Sequence, residues 1–132
     1  MPIPVELRRV IINEVEEDQV VILSEIDGER ALPIVIGIFE ASSIVRRVKG
    51  LPSPRPLTHD LIVETIELLG GDIQDVIITE LKDHTYYAKI RVRQDGNLID
   101  LDCRPSDAIP VAVTARVPIY VNEDVFGELP DE

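Results

Sequence analysis

The sequence predicts an α+β fold in which two β-β-β-α repeats form a mainly antiparallel sheet, with helices packed on one side and a bridging helix between the repeats. One observation is that β-branched strand patterns alternate with short turn signals, Asp-Gly among them. A second is that the segment from Val10 to Val15 resembles the segment from Val76 to Leu81. Strands, turns and a helix follow both segments in the same order, which predicts an internal repeat.

The two repeat units are expected at residues 5–50 and 72–121, within one domain that covers residues 1–132. The bridging helix, at residues 58–70, ends at Gly70-Gly71, a pair that favours a left-handed stop. Strands are predicted at 5–15, 19–26, 31–38, 72–81, 85–93, 98–104 and 118–121, and the other helices at 40–49 and 106–116. The strand at 31–38 is apolar enough to be buried on both faces.

Composition and charge narrow the class of protein. With 132 residues the chain can form a substantial core, and its net charge of −12 argues against strong non-specific binding of nucleic acid. The single cysteine, Cys103, excludes an internal disulfide and fits a reducing compartment. There is no signal-peptide pattern, and no apolar run approaches the ~20 residues of a membrane span. We therefore expect a cytoplasmic protein without a membrane partner.

A polar cluster precedes the bridging helix, in the segment Arg55-Pro56-Leu57-Thr58-His59-Asp60. Thr58 is a suitable N-cap, and Asp60 suits the positive end of the helix. His59 is expected to be neutral near pH 7 and able to accept a proton, because a helix N-terminus disfavours its charged form. Backbone donors at this end favour an anion such as phosphate. A plain cap explains Thr58 and Asp60 as well, and a lone histidine is most often a surface residue.

An acid stands at the start of each long helix, at Glu40, Asp60 and Asp107. Asp102 adds a fourth carboxylate on the strand that leads into the Asp107 helix. Converging carboxylates are what a hard cation such as Mg²⁺ requires, so all four are candidate metal ligands. His59, Asp60 and Asp107 are the candidate catalytic residues. For Glu40 or Asp107 taken alone, stabilisation of the helix dipole is the simpler explanation.

Positive charge is concentrated just before the bridging helix. Between Glu40 and Asp60 there is no acid, whereas four basic residues occur there: Arg46, Arg47, Lys49 and Arg55. A solvated helix surface explains the first three, but an anionic ligand also explains the missing acids. Arg55 and Arg104 are each followed by proline at a helix entrance, which makes them candidates for binding phosphate. Thr58 and Ser106 are the neighbouring candidate substrate-binding residues.

Several common signatures of catalysis are absent from the sequence. There is no Gly-rich phosphate loop, no Gly-x-Ser-x-Gly and no His-x-x-x-His pair. Ser42, Ser43 and Ser106 have no histidine close by in sequence. Cys103 lies among acids, which raise the pKa of a thiol, so we do not expect it to be a nucleophile. His84 falls in a predicted hairpin turn, where it is expected to be solvated.

Four blocks of sequence resemble the bifunctional nuclease family, and the resemblance extends over about residues 5–121. The blocks are Leu32-Pro-Ile-Val-Ile-Gly37, Glu40-Ala41, Arg55-Pro-Leu-Thr-His-Asp-Leu61 and Asp102-Cys-Arg-Pro-Ser-Asp-Ala-Ile109. The resemblance implies nuclease activity, because plant members of that family are described as degrading both DNA and RNA. Pro110 departs from the family pattern, in which an apolar helix usually continues, commonly with alanine.

Three functions are consistent with these features. The first is a nuclease-like phosphodiesterase that hydrolyses DNA or RNA, assisted by a divalent metal, with Mg²⁺ as the expected ion. The second is a non-catalytic module that binds an anionic ligand or a protein partner through the same polar cluster. The third is a structural homo-oligomer whose exposed strand edges, near residues 32–38 and 119–121, form the subunit contacts. Oligomerisation is compatible with either of the other two.

Overall fold

The structure is a computed structural model that describes residues 2–13, 15, 18–51 and 53–127. In the first half of the chain the elements are β1 Pro2–Ile11, β2 Asp18–Glu25, β3 Ala31–Gly37, α1 Ile38–Lys49 and α2 Thr58–Leu68. In the second half they are β4 Asp72–Lys82, β5 Thr85–Gln94, β6 Asn97–Cys103, α3 Pro105–Ala115, β7 Ile119–Asn122 and α4 Glu123–Gly127. The order β-β-β-α occurs twice, with α2 between the two units, while descent from a duplication stays a prediction.

The predicted and observed element boundaries differ most at the first strand. The pattern predicts a strand that runs to Val15, whereas β1 ends at Ile11. Glu14, Glu16 and Glu17, which belong to the end of this predicted strand and to the turn after it, lie outside the described residues. At the other end of the chain, the short helix α4 follows β7, and residues 128–132 also lie outside the described residues.

The seven strands form one sheet in the order β3-β2-β1-β7-β4-β5-β6. β1 to β3 form one antiparallel meander and β4 to β6 form another. β7 joins the two meanders, since it pairs antiparallel with β1 and parallel with β4. Helices pack on this sheet and on one another, with α3 contacting both α1 and α2. The predicted α+β class with a mainly antiparallel sheet is therefore confirmed.

Two expectations about strand edges and burial are wrong. β7 lies in the middle of the sheet, with Val121 fully buried, so it offers no free edge. β3 is an edge strand in which burial alternates, with Ile34 and Ile36 buried and Val35 60% exposed. Only one face of β3 meets the core, because the helices do not cover the other. β6 forms the opposite edge and exposes three large apolar side chains, Leu98, Ile99 and Leu101. Homo-oligomerisation through the β3 edge stays a prediction.

The buried face of α2 differs from the face that the sequence pattern predicts. The sequence pattern places Leu61, Ile62, Ile66 and Leu69 on one helical face, but Leu61 and Leu69 are 57% and 71% exposed. The buried stripe instead contains His59 and Val63, with Ile62 and Ile66 partly buried against the core. These four positions follow helical spacing equally well, so periodicity alone does not separate the two faces. The consequence for function is that His59 belongs to the buried face of its helix.

The glycines after α2 act in two different ways. Gly70 adopts a left-handed conformation with φ of 89°, as the predicted stop requires, and its N–H donates to Glu67 O. Gly71 is needed for space instead, because a Cβ there would lie 2.8 Å from side-chain carbons of both Ile66 and Val92. The close approach of α2 to β5 therefore depends on Gly71.

Pro110 lies inside α3 without ending the helix. The helix begins at Pro105, and Pro110 is buried five residues later. Because proline has no N–H, the carbonyl of Ser106 does not receive the helical hydrogen bond from this position. The helix nevertheless continues to Ala115, with Ala108, Ile109, Val111 and Ala112 in the core.

Tight turns set the register of the second meander. Asp95-Gly96 has φ values of 51° and 81°, as the predicted Asp-Gly hairpin requires. Asp83-His84, between β4 and β5, has φ values of 51° and 62° although neither residue is glycine. Asp27-Gly28 lies in a longer connection, closed by a hydrogen bond of 3.0 Å from the Glu25 N–H to Arg30 O.

Arg30 connects the turn between β2 and β3 to α4. Its guanidinium forms ion pairs of 2.6 Å with Glu25 and 2.8 Å with Glu123, and lies 4.4 Å from the centre of the Phe126 ring. Such exposed pairs contribute little individually, but the ring contact adds a cation–π interaction. No helix among the described residues combines the length and apolar character needed to cross a membrane.

Candidate functional site

α2 and α3 begin in the same way, with an acid at the third helical position that accepts a hydrogen bond from the N–H of the N-cap residue. The Asp60 carboxylate accepts a hydrogen bond of 3.0 Å from the Leu57 N–H, and the Asp107 carboxylate accepts one of 3.3 Å from the Arg104 N–H. Thr58, predicted as an N-cap, is instead the first residue of α2, and the structure shows it exposed. The acids therefore supply the caps that the sequence pattern assigned to a hydroxyl.

Both capping acids are also paired with arginine. Asp60 forms an ion pair of 2.6 Å with Arg47 on α1, and Asp107 holds Arg104 through two hydrogen bonds of 3.0 and 3.1 Å. Burial acts to raise the pKa of each carboxyl, but the hydrogen bonds and the arginine charges outweigh it and lower both pKa values. Both acids are therefore ionised at neutral pH, and Asp60 also ties α2 to α1.

Glu40 occupies the same third position in α1 but has a different environment. Its carboxylate folds back against the N-cap residue Gly37, where an added Cβ would lie 2.5 Å from Glu40 Oε2. A side chain at position 37 would therefore displace the Glu40 carboxylate. Glu40 acts electrostatically on both His59 and Arg104, which shows that the starts of α1, α2 and α3 converge.

His59 lies at the centre of this convergence and is only 8% exposed. Its Nδ1 atom is 3.0 Å from the hydroxyl oxygen of Ser43, which is also buried. Burial lowers the pKa of His59, although the charges of Asp107, Glu40 and Asp60 act in the opposite direction. The expected neutral state of His59 thus agrees with the structure, with burial as its main cause, whereas the sequence suggested the helix N-terminus.

Ser43 is the functional candidate that sequence reasoning missed. It lies 16 residues before His59 and on a different helix, so sequence spacing does not connect the two residues. One signal was present, because Ser43 is a small polar residue between Ala41 and Ile44, which are both fully buried. A buried polar side chain needs a hydrogen-bond partner, and the partner here is the histidine.

A cavity of about 440 Å³ opens where the end of α1, the start of α2 and the end of α3 meet. We call it the arginine cavity because four arginines line it: Arg46, Arg47, Arg55 and Arg116. Asp60 and Glu64 are the acids in its lining, and Ser43 also contributes to it. Three of the four basic residues that the sequence places before α2 therefore line this cavity, whereas Lys49 lies outside its lining.

A second depression, of about 640 Å³, is lined in part by residues at the starts of α1 and α3. We call it the edge groove because residues 33–37 of the edge strand β3 form one wall and residues 84–86, at the start of β5, form another. Glu40, Arg104 and Ser106 also line it. The sheet must curve for these two regions to border one groove, since several strands separate them in the sheet order. His84, expected to be solvated, is exposed at this groove.

The structure places the predicted site residues in different surroundings. Glu40, His59, Asp60 and Asp107 lie close enough to interact electrostatically. Arg55 lines the arginine cavity, whereas Arg104 and Ser106 line the edge groove. Four predicted residues line neither depression: His59, Thr58, Asp102 and Asp107. Asp102 is exposed on β6, paired in register with Lys89 of β5.

The carboxylates do not form a metal-ligand group in the part of the chain that the structure describes. No three His, Cys, Asp or Glu side chains there are arranged to hold a metal ion. The oxygens of Asp60 and Asp107 are occupied by arginines and backbone N–H groups, as described above. A role for Mg²⁺ stays a prediction that chelation can test.

Cys103 is expected to be unreactive in the folded protein. Burial, together with the charges of Asp107 and Asp102, raises the pKa of its thiol to about 12. Because the thiolate is the reactive form, a thiol reagent such as DTNB at pH 8 should modify Cys103 only after the protein is unfolded in guanidinium chloride. Rapid stoichiometric labelling of the native protein would contradict this. The pKa agrees with the expectation that Cys103 is not a nucleophile.

The fold and the site thus describe an α+β protein with a cationic cavity beside a buried histidine. The sequence profile described as "Bifunctional nuclease domain" matches residues 21–130. An uncharacterised protein of Mycobacterium tuberculosis is 42% identical over 131 residues, which cover 94% of this chain and 78% of the relative. The chain belongs to the bifunctional nuclease domain family.

Two plant relatives carry the family's activity in their names. Bifunctional nuclease 1 of Oryza sativa subsp. japonica is 30% identical over 109 residues, which cover 80% of this chain and 33% of the relative. Bifunctional nuclease 1 of Arabidopsis thaliana is 27% identical over 95 residues, which cover 70% of this chain and 29% of the relative. This chain therefore corresponds to about a third of each plant protein.

Proposed function

We propose that the protein is a nuclease, a hydrolase that cleaves phosphodiester bonds in DNA or RNA, with His59 as the general base. The observation that carries this proposal is the buried His59, whose lowered pKa favours the neutral form and whose Nδ1 atom contacts Ser43 in the lining of the arginine cavity. A base must be unprotonated at working pH, and the lowered pKa of His59 meets that condition. Membership of the bifunctional nuclease domain family supports the same reaction class.

The neighbouring residues have defined roles in this proposal. The proposal requires the tautomer in which the Nδ1–H of His59 donates to the Ser43 hydroxyl oxygen, 3.0 Å away. Nε2 is then unprotonated and able to take a proton from the attacking nucleophile. The carboxylates of Asp107, Glu40 and Asp60 stabilise the imidazolium that forms, since each already acts to raise the pKa of the ring. Arg55 and Arg104 bind phosphate oxygens, at the arginine cavity and at the edge groove respectively.

The proposal is tested with the purified protein on end-labelled single-stranded DNA and RNA. Cleavage is expected to co-elute with the protein in size-exclusion chromatography and to be absent from a mock preparation of the same host cells. Cleavage that also appears in the mock fractions would remove the proposal. EDTA provides a second arm, because loss of cleavage with EDTA and recovery with Mg²⁺ would support metal assistance. Cleavage that continues in EDTA would exclude metal assistance but would not contradict the role of His59 as general base.

A second candidate function is a non-catalytic module that binds an anionic ligand. The observation in its favour is that Asp60 and Asp107 are both paired with arginines, so that arginine–carboxylate pairing accounts for the mixture of charges without a metal. If the protein only binds, the same labelled oligonucleotides should migrate more slowly on a native gel when the protein is present. No cleavage product should form even after prolonged incubation. A cytoplasmic location and a homo-oligomeric state remain proposals under either function.

A further inference from the structure

We propose that the arginine cavity binds a phosphate monoester, presented either by a free nucleotide or by the phosphorylated end of a nucleic-acid strand. The cavity is distinct from the edge groove, and its ability to bind does not depend on hydrolysis. It shares Ser43 and Asp60 with the surroundings of His59. If the protein is also a nuclease, a ligand in this cavity lies beside the proposed base.

The charge of the lining favours a dianion. The four arginines contribute +4, and the acids Asp60 and Glu64 contribute −2, so the lining carries a net charge of +2. The whole chain carries −12, which makes this local excess the reverse of the general trend. A phosphate monoester carries about −1.5 to −2 at pH 7, whereas an internal diester carries a single negative charge. The cavity therefore matches a terminal phosphate better than it matches the interior of a strand.

Two of the four arginines are available for a ligand. In the region that the structure describes, Arg47 is paired with Asp60, whereas Arg55 and Arg116 form no ion pair. Both are exposed side chains that line the cavity. A guanidinium presents donors in a planar fork that fits phosphate oxygens, so this pair can hold one phosphate from two sides.

The backbone at Arg116 adds to this assignment. Arg116 is the C-cap of α3 and has φ of 60°, in the left-handed region where glycine is usual. Gly50, the C-cap of α1, has φ of 66°. Both residues border the cavity. The helix dipole explains a cation at the end of a single helix. It does not explain why the ends of α1 and α3 meet around one cavity, or why Arg55 joins them from a loop.

The size of the cavity indicates more than inorganic phosphate. A volume of about 440 Å³ falls in the range of small-molecule sites, and a phosphate group fills only part of it. Leu51 and Leu57, with Pro54 and Pro56, give the cavity an apolar portion. A sugar and base attached to the phosphate can pack there, so the ligand class is a nucleotide or a nucleotide end.

The test is isothermal titration calorimetry with four probes at low salt. The probes are inorganic phosphate, adenosine 5′-monophosphate, a 5′-phosphorylated DNA hexamer and the same hexamer without the phosphate. The phosphorylated hexamer or the mononucleotide is expected to bind at least about tenfold more tightly than the unphosphorylated hexamer, because charge-assisted hydrogen bonds to arginine are gained. The tighter of the two identifies the source of the phosphate. Equal affinity for both hexamers, or no binding of any probe, would overturn the proposal.

Arg116→Gly is the decisive variant, since glycine adopts the left-handed conformation easily and the fold should be kept. Its affinity for the preferred phosphorylated probe is expected to fall about tenfold or more, and Arg55→Ala should act similarly. Lys49→Ala is the control, because Lys49 belongs to the same positive segment but does not line the cavity. This change should alter the affinity by less than about twofold, because salt screens an exposed charge outside the binding site. Unchanged affinity in a folded Arg116→Gly protein would also overturn the proposal.

Binding without cleavage would refute the nuclease function alone, and cleavage without phosphate-dependent binding would refute this site alone.

Discussion

Replacement of His59 by glutamine is expected to lower kcat/KM for cleavage of DNA or RNA by about 10²–10⁴-fold, the usual contribution of a general base. Glutamine can still form a hydrogen bond with Ser43, so the packing between α1 and α2 should be kept while the proton acceptor is lost. The measurement is the rate of release of a labelled oligonucleotide product under single-turnover conditions. Glu67→Gln, an exposed change on the same helix, is the matched control and should leave the rate unchanged.

The same residue predicts the pH dependence. Burial lowers the pKa of His59 below its ordinary value of 6.5, so the acid limb of the kcat/KM profile should lie below pH 6.5. The free energy of unfolding should also decrease as the pH falls below 6.5. As pH falls from 6.5 towards the lowered pKa, the unfolded chain takes up a proton before the native protein does, so the stability contributed by neutral His59 is lost in that window. The slope of the free energy of unfolding against pH should be smaller in His59→Gln. An unchanged acid limb in this variant would contradict the assignment of the base.

Ile109→Ala is expected to lower the free energy of unfolding by about 2–5 kcal/mol, the range for removing a large buried aliphatic side chain. Ile109 is fully buried on α3, the helix that contacts α1, α2 and the strands β3, β4 and β5. A cavity at this position therefore weakens the packing of α3 against α1 and α2. The rate of cleavage should fall as well, because Asp107 lies on the same helix. The measurement is urea denaturation monitored by circular dichroism.

The matched control for this prediction is Leu68→Ala on α2. Leu68 is 86% exposed, so its truncation should change the free energy of unfolding by no more than about 0.5 kcal/mol. Similar destabilisation by the two substitutions would mean that α3 is not the central packing element. It would also mean that Leu68 is covered in solution, for example by another subunit.

Much of the local structure follows from residues close together in sequence. The Asp95-Gly96 turn and the left-handed Gly70 are where the sequence predicts them, because backbone conformation there depends on the residue itself. The acids of α2 and α3 cap their helices by contacts only three residues long. Such local features can be read from one segment at a time.

The wrong predictions of burial and strand position involve a partner that is distant in the chain, whereas the wrong N-cap at Thr58 is a local error. Leu61 and His59 both fit a helical stripe, and only packing against α1 and α3 decides that His59 is buried. The apolar strand β3 has one exposed face because it lies at the sheet edge. β7 lies at the centre because β1 and β4, from opposite halves of the chain, both pair with it.

The sequence by itself therefore determined the α+β class, the order of the elements, the acids at the three helix starts and membership of the bifunctional nuclease family. The tertiary structure alone decided that Ser43 contacts His59, and that Arg116 joins Arg46, Arg47 and Arg55 around one cavity. The physical reason is that the hydrophobic effect buries apolar area without regard to separation in sequence. The polar partners that the buried groups then require come from whichever helix the packing brings near.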